Sequence, residues 1–498
     1  MKEAGFRIAI IMDPGIKIDP QYLSYQNGLS GGHYVSMPDG TPYEGEVWPG
    51  WSAFPDFTDP GARAWWHKES RFYTDMGIEG LWNDMNEPTS WGHELPNNLE
   101  FSWEGEKATH LQARNVYGMQ MARATREAAD QQLPKRPFIL TRAGYSGIQR
   151  YAAVWTGDNV ASDDHMMGGI RLLSSMGLTG MAFTGYDVGA FVGECSPQLF
   201  ARWMQVGAFS AFFRGHSMVN SRDSEPWSYG EQFEEISRNY IGLRYKLMPY
   251  IVSCMYLAHK TGLPLVRSLA IDYTWEDKIY DEAYHNQYLF GPSILVVPVK
   301  STENYKKTYF PSGTWHDLFT GELYTGNQEV VLETDIDKLP LYARGGTVIP
   351  MQSVVQHTGE VPDDKTLYLH VYAGEEGEEF KLSLYDDQDQ HHPDEDQQFW
   401  RRTLSFDPQK RQLTLGANEG HWEIPMEHIV VQFHGYVDLD QVIVQNQPHA
   451  LETRDVRLIE PISRFDPFGP EKGRVLQMKS VPTLQIPAQH GEELILKW

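Results

Sequence analysis

Cysteine is almost absent from this chain, Cys195 and Cys254 being the only two. Two thiols cannot staple a fold of this size, so a disulfide scaffold is excluded, and no residues have the spacing of a structural zinc site. Positive charge is also in deficit: 42 Lys and Arg against 67 Asp and Glu leave a formal charge of −25. A nucleic-acid backbone or an anionic membrane surface wants a basic footprint, and this balance disfavours both. No run approaches the roughly 18 apolar residues that a spanning helix needs. Several catalytic signatures are missing too. There is no GxSxG elbow, no GxGxxG opening a helix after a strand, no GxxxxGK[ST] phosphate loop and no HExxH zinc pair. Nothing in the pattern calls for a cofactor or a metal.

Aromatic side chains, by contrast, are plentiful: 15 Trp, 26 Tyr and 22 Phe make up 13% of the residues. Many belong to core. Aromatics set beside carboxylates in loops also suit a carbohydrate, whose rings have apolar C–H faces and a polar rim. With 498 residues the chain exceeds one ordinary core, and two or three domains are expected.

Up to about residue 270 one rhythm repeats: a short apolar run ends in polar or Gly-rich residues, and a helical stretch follows. The runs are 6–16, 77–88, 136–145, 152–159, 179–191 and 209–219. Amphipathic stretches at 62–77 and 108–130 lie between them, and a long helical segment is expected over 233–262, packed on the sheet. Apolar strands alternating with helices predict an α/β chain of the (β/α)8 TIM-barrel type. Beyond 270 the pattern turns to strands and turns. The expected division is a partial barrel over 1–270, a proximal β domain over 271–363 and a distal β-sandwich-like domain over 364–498. Segments 430–446 and 474–480 fit sandwich strands, and the acidic run 386–398 reads as a solvated loop without the ordered ligand spacing of a calcium site.

Each apolar run is followed by a residue able to do chemistry: Asp13, Asp84, Arg142, Asp158, Asp187 and His216. In a barrel such positions gather at the C-terminal mouth, however far apart in sequence. Retaining glycoside hydrolysis needs two carboxyl groups about 5–5.5 Å apart, one attacking and one protonating the leaving oxygen. Asp84 and Asp158 are the best pair, each with a tryptophan close by, Trp82 and Trp155. Arg142 suits the charge of an ionised nucleophile. Spacing does not say which carboxylate has which role. Bland readings stand beside these. Asp84 can cap a helix, Asp158 can sit in an Asx-turn, and Asp187 can cap a turn or orient a basic partner. Glu87 reads as structural, holding a loop by a buried hydrogen bond, and Asp13, before Pro14-Gly15, as architectural. Asp163 and Asp164 belong to a loop or helix start. His216 reads as a hydroxyl donor, with Arg214 or Arg222 as a structural salt-bridge partner.

The motifs IIMDPGI (10–16), FPDFTDPGARAWW (54–66), GLWNDMNEP (80–88), TRAGYSGIQRYAAVWTGDN (141–159), FTGYDVGAF (183–191), FFRGHS (212–217), YFPSGTWHDLFTGE (309–322) and LPLYARGGTVIP (339–350) resemble those of glycoside hydrolase family 31. The resemblance runs from residue 6 to about 351 and is weaker beyond. It implies Asp84 as nucleophile and Asp158 as general acid/base of a retaining α-glucosidase. Arg142 and His216 would bind sugar hydroxyls, with Trp82, Trp155, Asp187 and Met85 shaping the subsite. Asn83 and Met85 around the nucleophile favour a neutral glucose at the nonreducing end. Six of the eight barrel strands are expected here, so a complementing N-terminal polypeptide or fragment is expected as a partner, beside α-linked glucose oligosaccharides. Self-association and compartment, cytoplasmic or secreted, stay open. Transfer to a sugar acceptor through the same glycosyl-enzyme is the alternative activity, and a noncatalytic carbohydrate-binding or scaffold protein the alternative of another class.

Overall fold

The computed structural model describes residues 2–92, 94–374, 379–391, 393, 397–462, 479–488 and 491–498. They form two compact units, Met1–Gly157 with Asp389–His391, and Asp158–Gln388 with His392–Trp498.

In the first unit four strands run parallel in the order Ala9–Met12, Gly80–Asn83, Phe138–Thr141, Ala153–Trp155. Their registers pair Met12 with Asn83, Asn83 with Thr141, and Thr141 with Val154. Two helices cover the sheet's apolar residues. Helix Pro60–Asp75 starts where the Asp59 carboxylate accepts from the Ala62 N–H at 2.8 Å and a proline occupies the first turn, where a missing N–H costs nothing. Helix His110–Gln132 opens with a capping box of Thr109 and Gln112. The two pack on each other, with Trp66 Nε1 donating to Thr125 Oγ1 at 3.1 Å, and they close a core of Phe57, Trp65, Trp66, Leu81, Tyr117 and Ile139. A hairpin, Glu44–Val47 with Gly50–Ala53, extends from this unit.

The acidic run is not a free loop. Asp389 accepts from Arg7 Nη1 at 2.8 Å, its carbonyl accepts from the Arg136 N–H at 2.8 Å, and a ring nitrogen of His391 lies 2.8 Å from the Leu133 carbonyl oxygen. Charge pairing with Arg7 and hydrogen bonds from Arg136, invisible at that sequence separation, draw 389–391 onto this unit. Residues 392 and 394–396 of the run lie outside the described residues.

In the second unit Thr184–Val188 and Phe212–Gly215 are parallel, pairing Asp187 with Arg214. Helix Asp163–Leu178 has Ser162 as its N-cap, with Asp163 and Asp164 in its first turn. The long segment expected over 233–262 is two helices, Glu231–Lys246 and Met248–Thr261. Pro249 lacks the N–H that would continue the first ladder, so the chain restarts there. The second of these helices packs on the distal strand Phe380–Asp386, where Tyr256 stacks on Tyr385 at 4.1 Å. An antiparallel six-stranded sheet follows, from Val266–Ser268 to Leu341–Arg344. Then come a five-stranded sheet around Thr366–Tyr372 and His428–His434 and a six-stranded one around Phe380–Asp386 and Trp400–Asp407. Both feed one buried cluster, and Trp400–Asp407 alternates buried and half-exposed positions as a sandwich strand should. Of the expected strand at 474–480, residues 474–478 lie outside the described residues, while Lys479–Pro487 is a strand. Cys195 and Cys254 are free and buried. No helix among the described residues is long and apolar enough to cross a membrane.

Candidate functional site

The register of the first unit's sheet gathers one group of candidates. Met12, Asn83 and Thr141 are level with one another, so the next residues, Asp13, Asp84 and Arg142, stand side by side at the C-terminal strand ends. The ladder continues into them: the Asp84 N–H reaches the Met12 carbonyl at 3.4 Å, and the Arg142 N–H reaches that of Asn83 at 3.2 Å. Asp84 Oδ1 accepts from the Met85 N–H at 2.9 Å and lies 3.3 Å from Arg142 Nη1. Arg142 also grips Glu87 with two nitrogens, Nε to Oε1 at 2.8 Å and Nη2 to Oε2 at 3.0 Å. One guanidinium therefore serves two carboxylates, the planar geometry that arginine supplies and lysine cannot.

Glu87 is in this way the anchor of Arg142. Its side chain is 43% exposed, so the hydrogen bond is not the buried one expected. Burial pushes the Glu87 carboxyl up, but the bonds from Arg142 and Thr89 outweigh it and hold the group below its ordinary range. Asp13 goes the other way: burial, then the negative charge of Asp84, push it up to about 6 against the pull of Arg142. Met85 is buried with φ 53, and its Sδ lies 3.1 Å from Arg142 Nη2. Trp82 and Trp155 meet edge to face at 5.2 Å, with Trp155 fully buried.

Two features of this group went unread in the sequence. Asn86, wholly buried, donates to Thr141 Oγ1 at 2.9 Å and accepts from the Ala143 N–H at 3.3 Å, tying the loop after Asp84 to the loop after Thr141. Its place inside WNDMNEP was the available signal. Trp48, at the hairpin tip and 68% exposed, meets Trp91 edge to face at 4.9 Å. Only the general wealth of aromatics hinted at that pair.

The second unit carries the other candidates. Asp158 is exposed, between Gly157 with φ 81 and the buried Asn159. The Asn159 side chain donates to the Asp187 carbonyl at 2.9 Å and accepts from the Phe191 N–H at 2.9 Å, so the residue after Asp158 is stitched to the strand end that bears Asp187. Asp187, fully buried, pairs with Arg214 at 2.5 Å, which makes Arg214 its basic partner. His216 stacks on Phe191 at 5.1 Å. Burial, then the charge of Arg214, lower its pKa to about 4, so the imidazole is neutral at pH 7 and one ring nitrogen can donate while the other accepts. The Asp163 carboxylate accepts from the N–H and hydroxyl of Ser301.

A carboxylate held by a guanidinium and a backbone N–H, level with a second acid and beside tryptophans, is placed to attack a carbon centre. Among the described residues no group of three or more His, Cys, Asp or Glu could hold a metal ion. Comparison with known proteins places the chain in a family. Residues 1–254 match the model of the glycosyl hydrolases family 31 TIM-barrel domain, and 262–349 that of the family's C-terminal domain. Alpha-glucosidase 2 of Bacillus thermoamyloliquefaciens is 41% identical over 394 residues, 78% of this chain and 49% of that protein. Human neutral alpha-glucosidase AB is 33% identical over 438 residues, 85% of this chain and 46% of its own. The chain thus spans about half the length of these relatives. In fold it is similar to a Flavobacterium johnsoniae dextranase solved with glucose (TM-score 0.84, 24% identity, 99% of this chain and 62% of that one). It is similar also to an ER glucosidase II complex of catalytic subunit and regulatory-subunit binding domain (TM-score 0.83, 26% identity, 100% and 55%).

Proposed function

The chain belongs to glycoside hydrolase family 31, and from that premise we propose that it acts as a retaining α-glucosidase, releasing glucose from the nonreducing ends of α-glucosides. Asp84 is the nucleophile and Asp158 the general acid/base. Asp84 attacks C1 as the bond to the leaving oxygen breaks, and Asp158 gives that oxygen its proton. The product is a β-linked glucosyl ester of Asp84. Asp158 then takes a proton from water as the water oxygen bonds to C1, the ester bond breaks, Asp84 recovers its charge, and α-glucose leaves. Arg142, Asp187, His216, Trp82, Trp155 and Met85 bind and shape the reacting sugar. This chemistry is assigned to 1–270, with 271–363 and 364–498 as the proximal and distal β domains.

The observation that carries the proposal is the contact of Asp84 with Arg142 Nη1 at 3.3 Å and the Met85 N–H at 2.9 Å. A carboxylate so held is aimed and has its negative charge matched, as a nucleophile's must be. The experiment is incubation of the purified protein with maltose, isomaltose and nigerose, with the first product anomer followed by NMR. Glucose released as the α-anomer supports the proposal; the β-anomer, or no release from any of the three, contradicts it. The exposed Trp48–Trp91 pair offers an apolar face for a second sugar. It favours glucosyl transfer as a second reading, which longer oligosaccharides in the same spectra would establish.

A further inference from the structure

Asp13 has no part in the scheme above, yet it sits where it acts on it. It follows Met12, which is level with Asn83, so it stands beside Asp84 at the same height of the adjoining strand. Its Oδ1 is buried and has no hydrogen-bond partner among the described residues. A buried carboxylate oxygen normally finds a donor, and one left without it beside a second carboxylate is expensive. The charges that act on it come from Asp84 on the neighbouring strand and Arg142 on the next, and Arg142 is already shared with Glu87. Two residues on, at Gly15, the nearest hairpin side chains are those of Val47 and Ser52.

We propose that Asp13 is an electrostatic positioning residue for Asp84, and that its carboxylate must be ionised for full rate, so that Asp13 sets the acid limb of the pH profile. The inference rests on Asp84 being the nucleophile. Before reaction two anions share one arginine and repel. When an Asp84 oxygen bonds to C1 its charge is consumed and the repulsion is relieved; at the same time the oxocarbenium-like C1 gains a second nearby negative charge. Both effects favour the transition state over the ground state, and both vanish when Asp13 is protonated. No proton passes between Asp13 and the substrate. Burial and the Asp84 charge put this titration at about 6. Activity therefore steps down as pH falls through about 6.

The test compares wild type, Asp13→Asn and Asp84→Asn. With maltose, the wild-type kcat/KM profile has an acid limb near pH 6. In Asp13→Asn that limb moves to lower pH, and the plateau falls on the order of tenfold, about 1.36 kcal/mol. A merely structural loss would scale the profile without moving it, so an unmoved limb overturns the inference. Infrared pH-difference spectra of protein labelled with ¹³C-aspartate need no turnover. The carboxyl that titrates near pH 6 should vanish in Asp13→Asn and move to lower pH in Asp84→Asn, because the repelling charge is gone. Persistence of that band in Asp13→Asn, or no movement in Asp84→Asn, overturns the coupled pair. A wild-type protein that shows the coupled titration but releases no glucose overturns the glucosidase reading and the rate claim, and leaves the pair standing.

Discussion

Arg142 gathers more of the candidate site than any other residue, since it meets Asp84, Met85 and Glu87 through separate nitrogens or shared ones. Replacing it with lysine keeps the charge and loses the fork. Arg142→Lys should lower kcat/KM by about 10²-fold, and Glu87→Gln by less, because an amide still accepts one guanidinium hydrogen bond while losing the ion pair. Steady-state kinetics with maltose checks both, and a Glu87→Gln loss larger than that of Arg142→Lys would mean Glu87 does more than hold the arginine. At this scale the grouping of Asp13, Asp84 and Arg142 at neighbouring strand ends was legible. A carboxylate or arginine at the end of an apolar run is a strong signal when the runs are parallel strands. Partners were not legible: Arg142 lies 55 residues from Glu87, and nothing local to either announces the other. The bland expectation for Asp13 has the same origin, because Pro14-Gly15 describes the turn but says nothing of the neighbouring strand's charge.

Among the elements, helix His110–Gln132 shows how a structural segment reaches the site. Its Gly118 passes under two loops: a Cβ there would stand 2.7 Å from the Asn86 carbonyl oxygen and 2.8 Å from that of Ala143. In an exposed helix interior Gly→Ala would stabilise by about 1 kcal/mol. Here backbone must move instead, and the backbone in question bears Asn86, two residues after Asp84. Gly118→Ala should therefore destabilise by about 1–3 kcal/mol and lower kcat as well. Urea unfolding and kinetics on the same variant check this, and a stabilised, fully active variant would show that the loops yield freely. Strands and helices of the first 270 residues were readable from period and caps, since Asp59-Pro60 and Thr109 with Gln112 are explicit start signals. The break at Leu247 was missed because the apolar pattern runs on past Pro249, and the tethering of 389–391 because composition alone describes that run as solvated.

For the whole molecule, the buried imidazoles give stability a pH dependence. Burial lowers His216 to about 4 and His370 to about 3, with the charge of Arg214 adding to the first and those of Lys479 and Lys246 to the second. In the unfolded chain these rings take up protons near pH 6.5, whereas in the folded chain they do not until far lower. Between those limits the unfolded state binds more protons, so stability rises with pH there: it is complete above about 6.5 and is lost as pH falls toward 4 and 3. Asp13, raised to about 6, opposes this between 6 and its ordinary value, because its folded form holds the extra proton. The two histidines outweigh one carboxyl, and a net loss of stability between pH 6.5 and 4 is expected in urea titrations. A profile flat across that window would mean the rings are solvated.

The central claim is that Asp84 becomes covalently bonded to the sugar, and a slow glucosyl donor tests it directly. Incubation with 5-fluoro-α-glucosyl fluoride, followed by proteolysis and mass spectrometry, should find one fluoroglucosyl group on the peptide that contains Asp84, and none in Asp84→Asn. Label on a different carboxylate, or an unlabelled wild-type protein, would contradict the account.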